Sequence, residues 1–363
     1  MRQFLLFSVV VLLLAITNLF GQSTATDFFN RGVEKSDEND IDGAITNFSK
    51  AIVLDPKYAE AYQKRGAARE SNKNFAGAIL DFTKLIELDP ANGEAYYYRG
   101  HARMTMGDND GSYADYSKAI EIDPRHSNAH YFRGVIRGTK LDAAGEIADY
   151  SKAIELDPNN DAFYYSRGVA RRLRDDHEGA IADYTEAIRI NPKLRLAYHN
   201  RASERTNKKD YDGAIADYTR EIEIAPTDSD AYDNRGGVRF LKKDYVGAIA
   251  DYTFALELNP KSIEIYRSRG DAKKLNGDLE GALSDFTAFL LVKTDDKLLG
   301  EIGDIKFQLK DFAGALFWYT RAIEKSSWNG KYYQKRAFAY RALNDIKSAE
   351  SDEKRAAQLR VFP

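Results

Sequence analysis

Residues 229–262 read SDAYDNRGGVRFLKKDYVGAIADYTFALELNPKS, and this stretch contains the pattern that decides the fold. Its proline is the last of seven that lie 34 residues apart: Pro56, Pro90, Pro124, Pro158, Pro192, Pro226 and Pro260. The length of 363 residues would suggest two or more globular domains, but a fixed spacing in this range is typical of stacked supersecondary repeats. The fold can therefore be predicted one repeat at a time.

The overall composition excludes some classes of function. Lys and Arg number 53 against 56 Asp and Glu, so the net charge of −3 provides no basic field that would attract nucleic acid. Hydrophobic residues make up 43% of the chain, which is enough for a sizeable core. Cysteine is absent, which excludes disulfides, Cys-based zinc sites and the lipidated cysteine of a lipoprotein.

The N-terminal segment differs from the rest of the chain. Arg2 precedes an apolar run over residues 4–16, and Gly21 is followed by polar residues. This pattern predicts a signal peptide at residues 1–21 and an exported protein, periplasmic or at the cell surface or extracellular. The apolar run is shorter than the ~20 residues of a comfortable membrane span. The alternative is an uncleaved membrane anchor formed by residues 3–20.

The remaining residues, 22–363, form ten repeats when 34 positions are counted from Ala25, with the eighth repeat one residue short. Position 4 is aromatic and position 8 is glycine in eight repeats, position 20 is usually alanine, and position 24 is Phe or Tyr in nine. Apolar residues at helical intervals predict two amphipathic helices per repeat, with small residues where the helices meet. Aspartate at position 16 in nine repeats predicts an N-cap of the second helix, which the proline at position 32 ends.

This pattern resembles the tetratricopeptide repeat over residues 25–363. The segments AIADY at 248–252 and NRG at 234–236 are similar to a form common in bacterial proteins. The resemblance implies an all-α fold, a right-handed α-solenoid whose first helices line a concave groove, and a family mostly employed to bind other proteins. In the tenth repeat, position 24 becomes Glu353, which predicts a polar cap.

The chain departs from the family pattern at two positions. Position 7, usually leucine, is arginine in nine repeats, and position 23, usually aromatic, is aspartate in eight. The ninth repeat has apolar Ile302 and Trp318 at the two positions, so the charges appear and disappear together. We therefore predict a structural ion pair within each repeat: Arg65 with Asp81, Arg99 with Asp115, Arg133 with Asp149, Arg167 with Asp183, Arg201 with Asp217, Arg235 with Asp251, and Arg269 with Asp285.

Position 11 is also basic in nine repeats, which leaves one acid for two cations. We expect the position-11 side chains to reach solvent or to meet an acid of a neighbouring repeat. The functional alternative is that the basic stripe is a ladder for a polyanion.

Positions 2, 5, 6, 9 and 12 of the first helix line the groove in the family. In the third to sixth repeats these groove positions are rich in aromatic residues, which suit a peptide or a sugar: Tyr97, Tyr98, His101, Met104, Tyr131, Phe132, Tyr165 and His199. The seventh and eighth repeats instead present charged and polar residues, among them Asp233, Asn234 and Arg267. The alternative is that half of the aromatic residues only pack against the preceding repeat.

No catalytic motif is found. The five histidines lack the spacing of a metal site, and phosphate loops, nucleophile elbows and zinc-protease motifs are absent. We therefore predict a scaffold without catalysis, metal or cofactor, which binds a protein or peptide segment. The alternatives are a membrane-anchored structural tether or assembly factor, and a binder of a glycan or polyanion.

Overall fold

The computed structural model describes residues 23–360, so the predicted signal peptide or anchor at residues 1–21 lies outside the described residues. Every regular element among the described residues is an α-helix, and the twenty helices follow one another as tandem pairs. The predicted all-α solenoid fold is confirmed. None of these helices is both long and apolar enough to cross a membrane.

The chain divides into two compact units, Met1–Ile190 and Asn191–Pro363. The helices of the first unit are α1 (Ala25–Asp37), α2 (Ile41–Leu54), α3 (Ala59–Ser71), α4 (Phe75–Leu88), α5 (Gly93–Thr105), α6 (Asn109–Ile122), α7 (Ser127–Thr139), α8 (Ala143–Leu156), α9 (Asp161–Arg172) and α10 (His177–Ile190). Those of the second are α11 (Arg195–Asn207), α12 (Tyr211–Ile224), α13 (Ser229–Leu241), α14 (Tyr245–Leu258), α15 (Ile263–Leu275), α16 (Leu279–Leu290), α17 (Asp296–Gln308), α18 (Phe312–Lys325), α19 (Gly330–Ala342) and α20 (Ile346–Arg360).

The two helices of each repeat meet where the sequence has small residues. In the fifth repeat, a Cβ atom added to Gly168 of α9 would lie 2.8 Å from the ring of Tyr184 on α10. Ala180, at position 20, is completely buried in the same contact. Positions 8, 20 and 24 thus form the core between the paired helices. Position 8 is small because a larger side chain there would displace the ring at position 24.

The turn between the paired helices has the same geometry in all ten repeats. Position 15 has a positive φ in each, although it is glycine only at Gly107 and Gly277. Position 16 then caps the second helix, as in the fourth repeat, where the backbone N–H of Gly145 donates to Asp142 Oδ1 at 3.0 Å. The predicted aspartate caps are confirmed. The left-handed residue before them was not predicted, because position 15 is lysine, asparagine, glycine, leucine or aspartate and so has no common residue type.

The last helix, α20, has few buried side chains. Ala349, Asp352 and Ala356 face the core, and Glu353 forms an exposed ion pair with Arg341 of α19 at 2.8 Å. This arrangement leaves a mostly polar outer surface on the final helix, which is what a terminal repeat requires for solubility.

Candidate functional site

The structure brings together all seven arginine–aspartate pairs named from the sequence. In the fifth repeat, the Nε and Nη2 groups of Arg167 donate to the two oxygens of Asp183 at 3.0 and 2.7 Å. The closest N–O distance is 2.6 or 2.7 Å in every pair. The aspartate side chains are only 2–4% exposed, so each forms a buried, two-point ion pair between the first and second helix.

In the second to eighth repeats, the cation at position 11 does not behave as expected from the sequence. The Nη1 group of Arg171, at position 11, donates to Asp183 at 2.9 Å and to the carbonyl of Gly179 at 3.3 Å. The expectation of solvent or of a neighbouring repeat's acid was wrong here, because one buried carboxylate has enough lone pairs for both guanidinium groups. Lys273 makes the equivalent contact with Asp285 at 2.9 Å.

The position-7 arginines also connect successive repeats. The remaining Nη1 group of Arg167 donates to the hydroxyl of Ser151 in the preceding repeat at 3.0 Å. Arg235 reaches Thr219 at 3.0 Å in the same way. These arginines are 11–17% exposed, and their hydrogen bonds account for the basic stripe without an external anion.

Seven of the eight predicted groove residues lie in the first unit, and all seven are half-buried. We call this group, Tyr97, Tyr98, His101, Met104, Tyr131, Phe132 and Tyr165, the aromatic surface. Within it, the ring centroids of Tyr97 on α5 and Phe132 on α7 lie 6.1 Å apart, and those of Phe132 and Tyr131 lie 5.0 Å apart. Tyr131 in turn packs on Phe163 of α9 at 5.0 Å. Ring contacts therefore run without interruption across three repeats.

The aromatic surface also contributes to the packing of the unit. Tyr98 stacks on buried Phe82 at a centroid distance of 5.6 Å, and Tyr165 contacts Tyr184 at 6.0 Å. The Met104 sulfur lies 4.0 Å from the hydroxyl of Tyr116. Each side chain has one face against the core and part of its surface open, so packing and binding are compatible at this surface.

One carboxylate beside the aromatic surface was not singled out from the sequence. Glu70 of α3 lies 3.2 Å from the Nδ1 atom of His101 on α5, and its hydrogen bond raises the pKa of that histidine. Burial raises the pKa of Tyr97 to about 12, so its phenol is neutral at ordinary pH. The contact joins residues 31 positions apart in the chain, and the repeat pattern gave no reason to pair them.

The eighth predicted residue, His199, belongs to the second unit. Its Nδ1 atom lies 3.1 Å from Glu221, whose side chain is 1% exposed. Arg195 also contacts Glu221, at 2.9 Å, and Asp228, at 2.5 Å. The hydrogen bond to Glu221 raises the pKa of His199. His199 is thus part of a local ionic cluster on α11 and α12. Within residues 23–360, no group of three or more His, Asp or Glu side chains is arranged to hold a metal ion.

Comparison with known proteins agrees with this architecture. Models of the tetratricopeptide repeat match residues 59–92, 93–126, 147–194 and 196–228, and a TPR repeat model matches residues 36–73. The chain is a tetratricopeptide repeat protein. No curated protein sequence matches this tetratricopeptide repeat protein.

Solved structures of similar fold are numerous. The C-terminal part of a TPR repeat-containing protein from Cytophaga hutchinsonii is 18% identical, with a TM-score of 0.57 over 66% of this chain and 98% of that one. YrrB, described as a TPR protein with an unusual peptide-binding site, is 21% identical, with a TM-score of 0.48 over 53% of this chain and 97% of its own. MamA is 25% identical, with a TM-score of 0.43 over 47% of this chain and 92% of its own. The similarity to the Cytophaga hutchinsonii structure supports the fold and nothing further.

Proposed function

We propose that this tetratricopeptide repeat protein is a non-catalytic interaction scaffold whose aromatic surface holds a protein or peptide segment. The observation that carries the proposal is the run of ring contacts across α5, α7 and α9, in which the half-buried rings of Tyr97, Phe132 and Tyr131 are continued by the buried ring of Phe163. Tetratricopeptide repeats generally bind protein partners, and the matched repeats at residues 93–126 and 147–194 include part of this surface.

The chemistry of the surface suits an extended segment with apolar side chains. Partly exposed aromatic rings offer large contact areas with little conformational entropy to lose, and such residues dominate the affinity of protein interfaces. The surface spans three consecutive repeats, so an extended ligand can contact each in turn. The Glu70–His101 pair adds one polar contact at its edge.

Site-specific photocrosslinking in the native host tests this function. We expect a benzoylphenylalanine probe at Tyr98 or Met104 to capture a discrete partner. A matched probe at Leu80, which is 70% exposed on the second helix α4, should capture none or a different set. Equal capture from Leu80 would contradict the proposed surface, and so would absence of any adduct at Tyr98 and Met104.

We further propose that the scaffold is exported after cleavage near residue 21, as the N-terminal sequence indicates. Cell fractionation and mass spectrometry of the mature N-terminus test this. A mature protein that begins near Gln22 supports export with cleavage. An intact Met1 in the membrane fraction would instead support the alternative function of a membrane-anchored tether or assembly factor.

A further inference from the structure

A cavity lies in the second unit, among α11 to α15, and has a volume of about 420 Å³. This is within the range of small-ligand pockets. The lining residues that matter here are Asn207, Asp233, Asn234, Gly237, Tyr252 and Ser268. None of them belongs to the aromatic surface.

Asp233 is the charged group in this cavity, and the described part of the chain provides no counter-charge for it. It is half-buried, yet it forms no hydrogen bond or ion pair with any residue of 23–360. Two arginines that could have paired with it have other partners: Arg235, two residues further along α13, bonds Asp251 at 2.7 Å, and Arg267, at the equivalent position of the next repeat, bonds Asp271 at 3.0 Å. Burial, with a smaller contribution from Asp230, raises the pKa of Asp233. A cation brought close to a partly desolvated carboxylate favours its charged form.

The amides beside Asp233 are also available. Asn234, the next residue of α13, and Asn207, on α11, have no hydrogen-bond partner among the described residues and line the same cavity. An asparagine amide offers both a donor and an acceptor, which is the combination that a peptide main chain requires.

Gly237 keeps the floor of the cavity open. Its neighbour Gly236 is required by packing, since a Cβ atom there would lie 2.9 Å from the ring of Tyr252. A Cβ atom at Gly237 would meet nothing closer than the Tyr252 hydroxyl, at 3.9 Å. Glycine inside a helix costs about 1 kcal/mol relative to alanine, and here no contact with a described residue requires it. The absent side chain instead leaves room for a ligand.

We propose that this cavity accepts the ammonium or guanidinium end of a lysine or arginine side chain from an extended peptide. Asp233 provides the counter-charge, and the Asn234 and Asn207 amides bind the adjoining main chain. This inference rests on the proposed function only in taking a peptide as the ligand.

Short synthetic peptides test the cavity in the full chain. The probes are acetyl-Ala-Ala-Lys-Ala-Ala-amide and its norleucine and glutamate analogues, with n-butylamine as a free cation. Binding is followed by the side-chain amide NMR signals of ¹⁵N-asparagine-labelled protein, which are assigned with Asn207→Ala and Asn234→Ala. We expect the lysine peptide to shift both signals. We expect the norleucine analogue, which lacks the positive charge, to bind at least about tenfold more weakly.

Three variants separate the cavity from general charge effects. Asp233→Asn should weaken the lysine peptide about tenfold or more, and Gly237→Leu should abolish binding by filling the cavity while circular dichroism shows intact helices. Asp230→Asn removes the same charge from an exposed site on α13 and should change affinity by less than about twofold.

Three results would overturn the proposal: equal affinity for the lysine and norleucine peptides, unchanged binding by Asp233→Asn, or no shift at about 5 mM peptide. Binding of n-butylamine as tight as that of the peptide would overturn the peptide part and assign a small cation. Failure here is distinguishable from failure of the proposed function, because the crosslinking probes at Tyr98 and Met104 report on a different surface.

Discussion

At the scale of single residues, two half-buried histidines each have a glutamate partner that raises the pKa of the imidazole. His101 and His199 each lie within 3.2 Å of a glutamate on another helix, and each has a raised pKa because of that hydrogen bond. Their carboxylate partners differ in exposure, since Glu221 is almost completely buried whereas Glu70 is partly open. The His199 cluster is therefore the better test.

We predict that the stabilising effect of His199 depends on pH. The folded pKa of His199 lies above its unfolded value of about 6.5, so the stabilisation is complete below that pH and is lost as pH rises through the folded pKa. The difference in unfolding free energy between the native protein and His199→Gln should thus be largest near pH 5.5 and decline above about pH 6.5. Urea unfolding at several pH values measures it. A difference that does not change between about pH 5.5 and 8.5 would show that the Glu221 contact is not ionic.

Two adjacent glycines of α13 should respond in opposite ways to the same change. Gly237→Ala adds a Cβ atom with no close neighbour, so we expect a gain of up to about 1 kcal/mol from helix propensity. Gly236→Ala places that atom 2.9 Å from the Tyr252 ring, and we expect a loss of about 1–3 kcal/mol. Thermal and urea unfolding compare the two variants. A Gly236→Ala variant that is more stable than the native protein would contradict this expectation, because it would mean that the Tyr252 ring can move away from the added Cβ atom.

At the scale of elements, the second to eighth repeats each contain one buried carboxylate bonded to two cations of the first helix. The ninth repeat has apolar side chains at positions 7 and 23 instead: Ile302 is buried, and Trp318 packs against the neighbouring core. There the position-11 side chain, Lys306, turns to Asp311 at 3.0 Å. Ionic and apolar versions of the same contact therefore occur within one chain.

This comparison predicts the outcome of a double substitution in the fifth repeat. Arg167→Ile alone leaves Asp183 with only Arg171 and should cost about 3 kcal/mol, because a buried charge loses its main partner. Arg167→Ile with Asp183→Trp copies the ninth repeat and should recover much of the loss, with Arg171 turning to Asp176, already 3.6 Å away. Urea unfolding and hydrogen exchange of α9 and α10 measure both. A double variant less stable than the single one would exclude a pairwise role for these charges.

At the scale of the whole molecule, the repeat spacing alone predicted the helix pairs and the capping aspartates, because each repeat places the same residue type at the same point of the same two helices. The charge pairs at positions 7 and 23 could also be predicted, since the ninth repeat loses both together. The second cation could not be placed, because one carboxylate can accept from two guanidinium groups and only the geometry of α9 and α10 shows that it does.

The sequence by itself determined the architecture of this protein, since a 34-residue period with small residues at helix contacts permits little other than stacked helix pairs. The groove residues could be named from their repeat positions, but the side chains that they contact could not be predicted. Only the tertiary structure showed that Glu70 meets His101, that seven of the named residues share one aromatic surface, and that Asp233 lies in a cavity where residues 23–360 provide no counter-charge. The physical reason is that repeat position specifies which way a side chain points, whereas its burial and its partner depend on side chains supplied by neighbouring repeats.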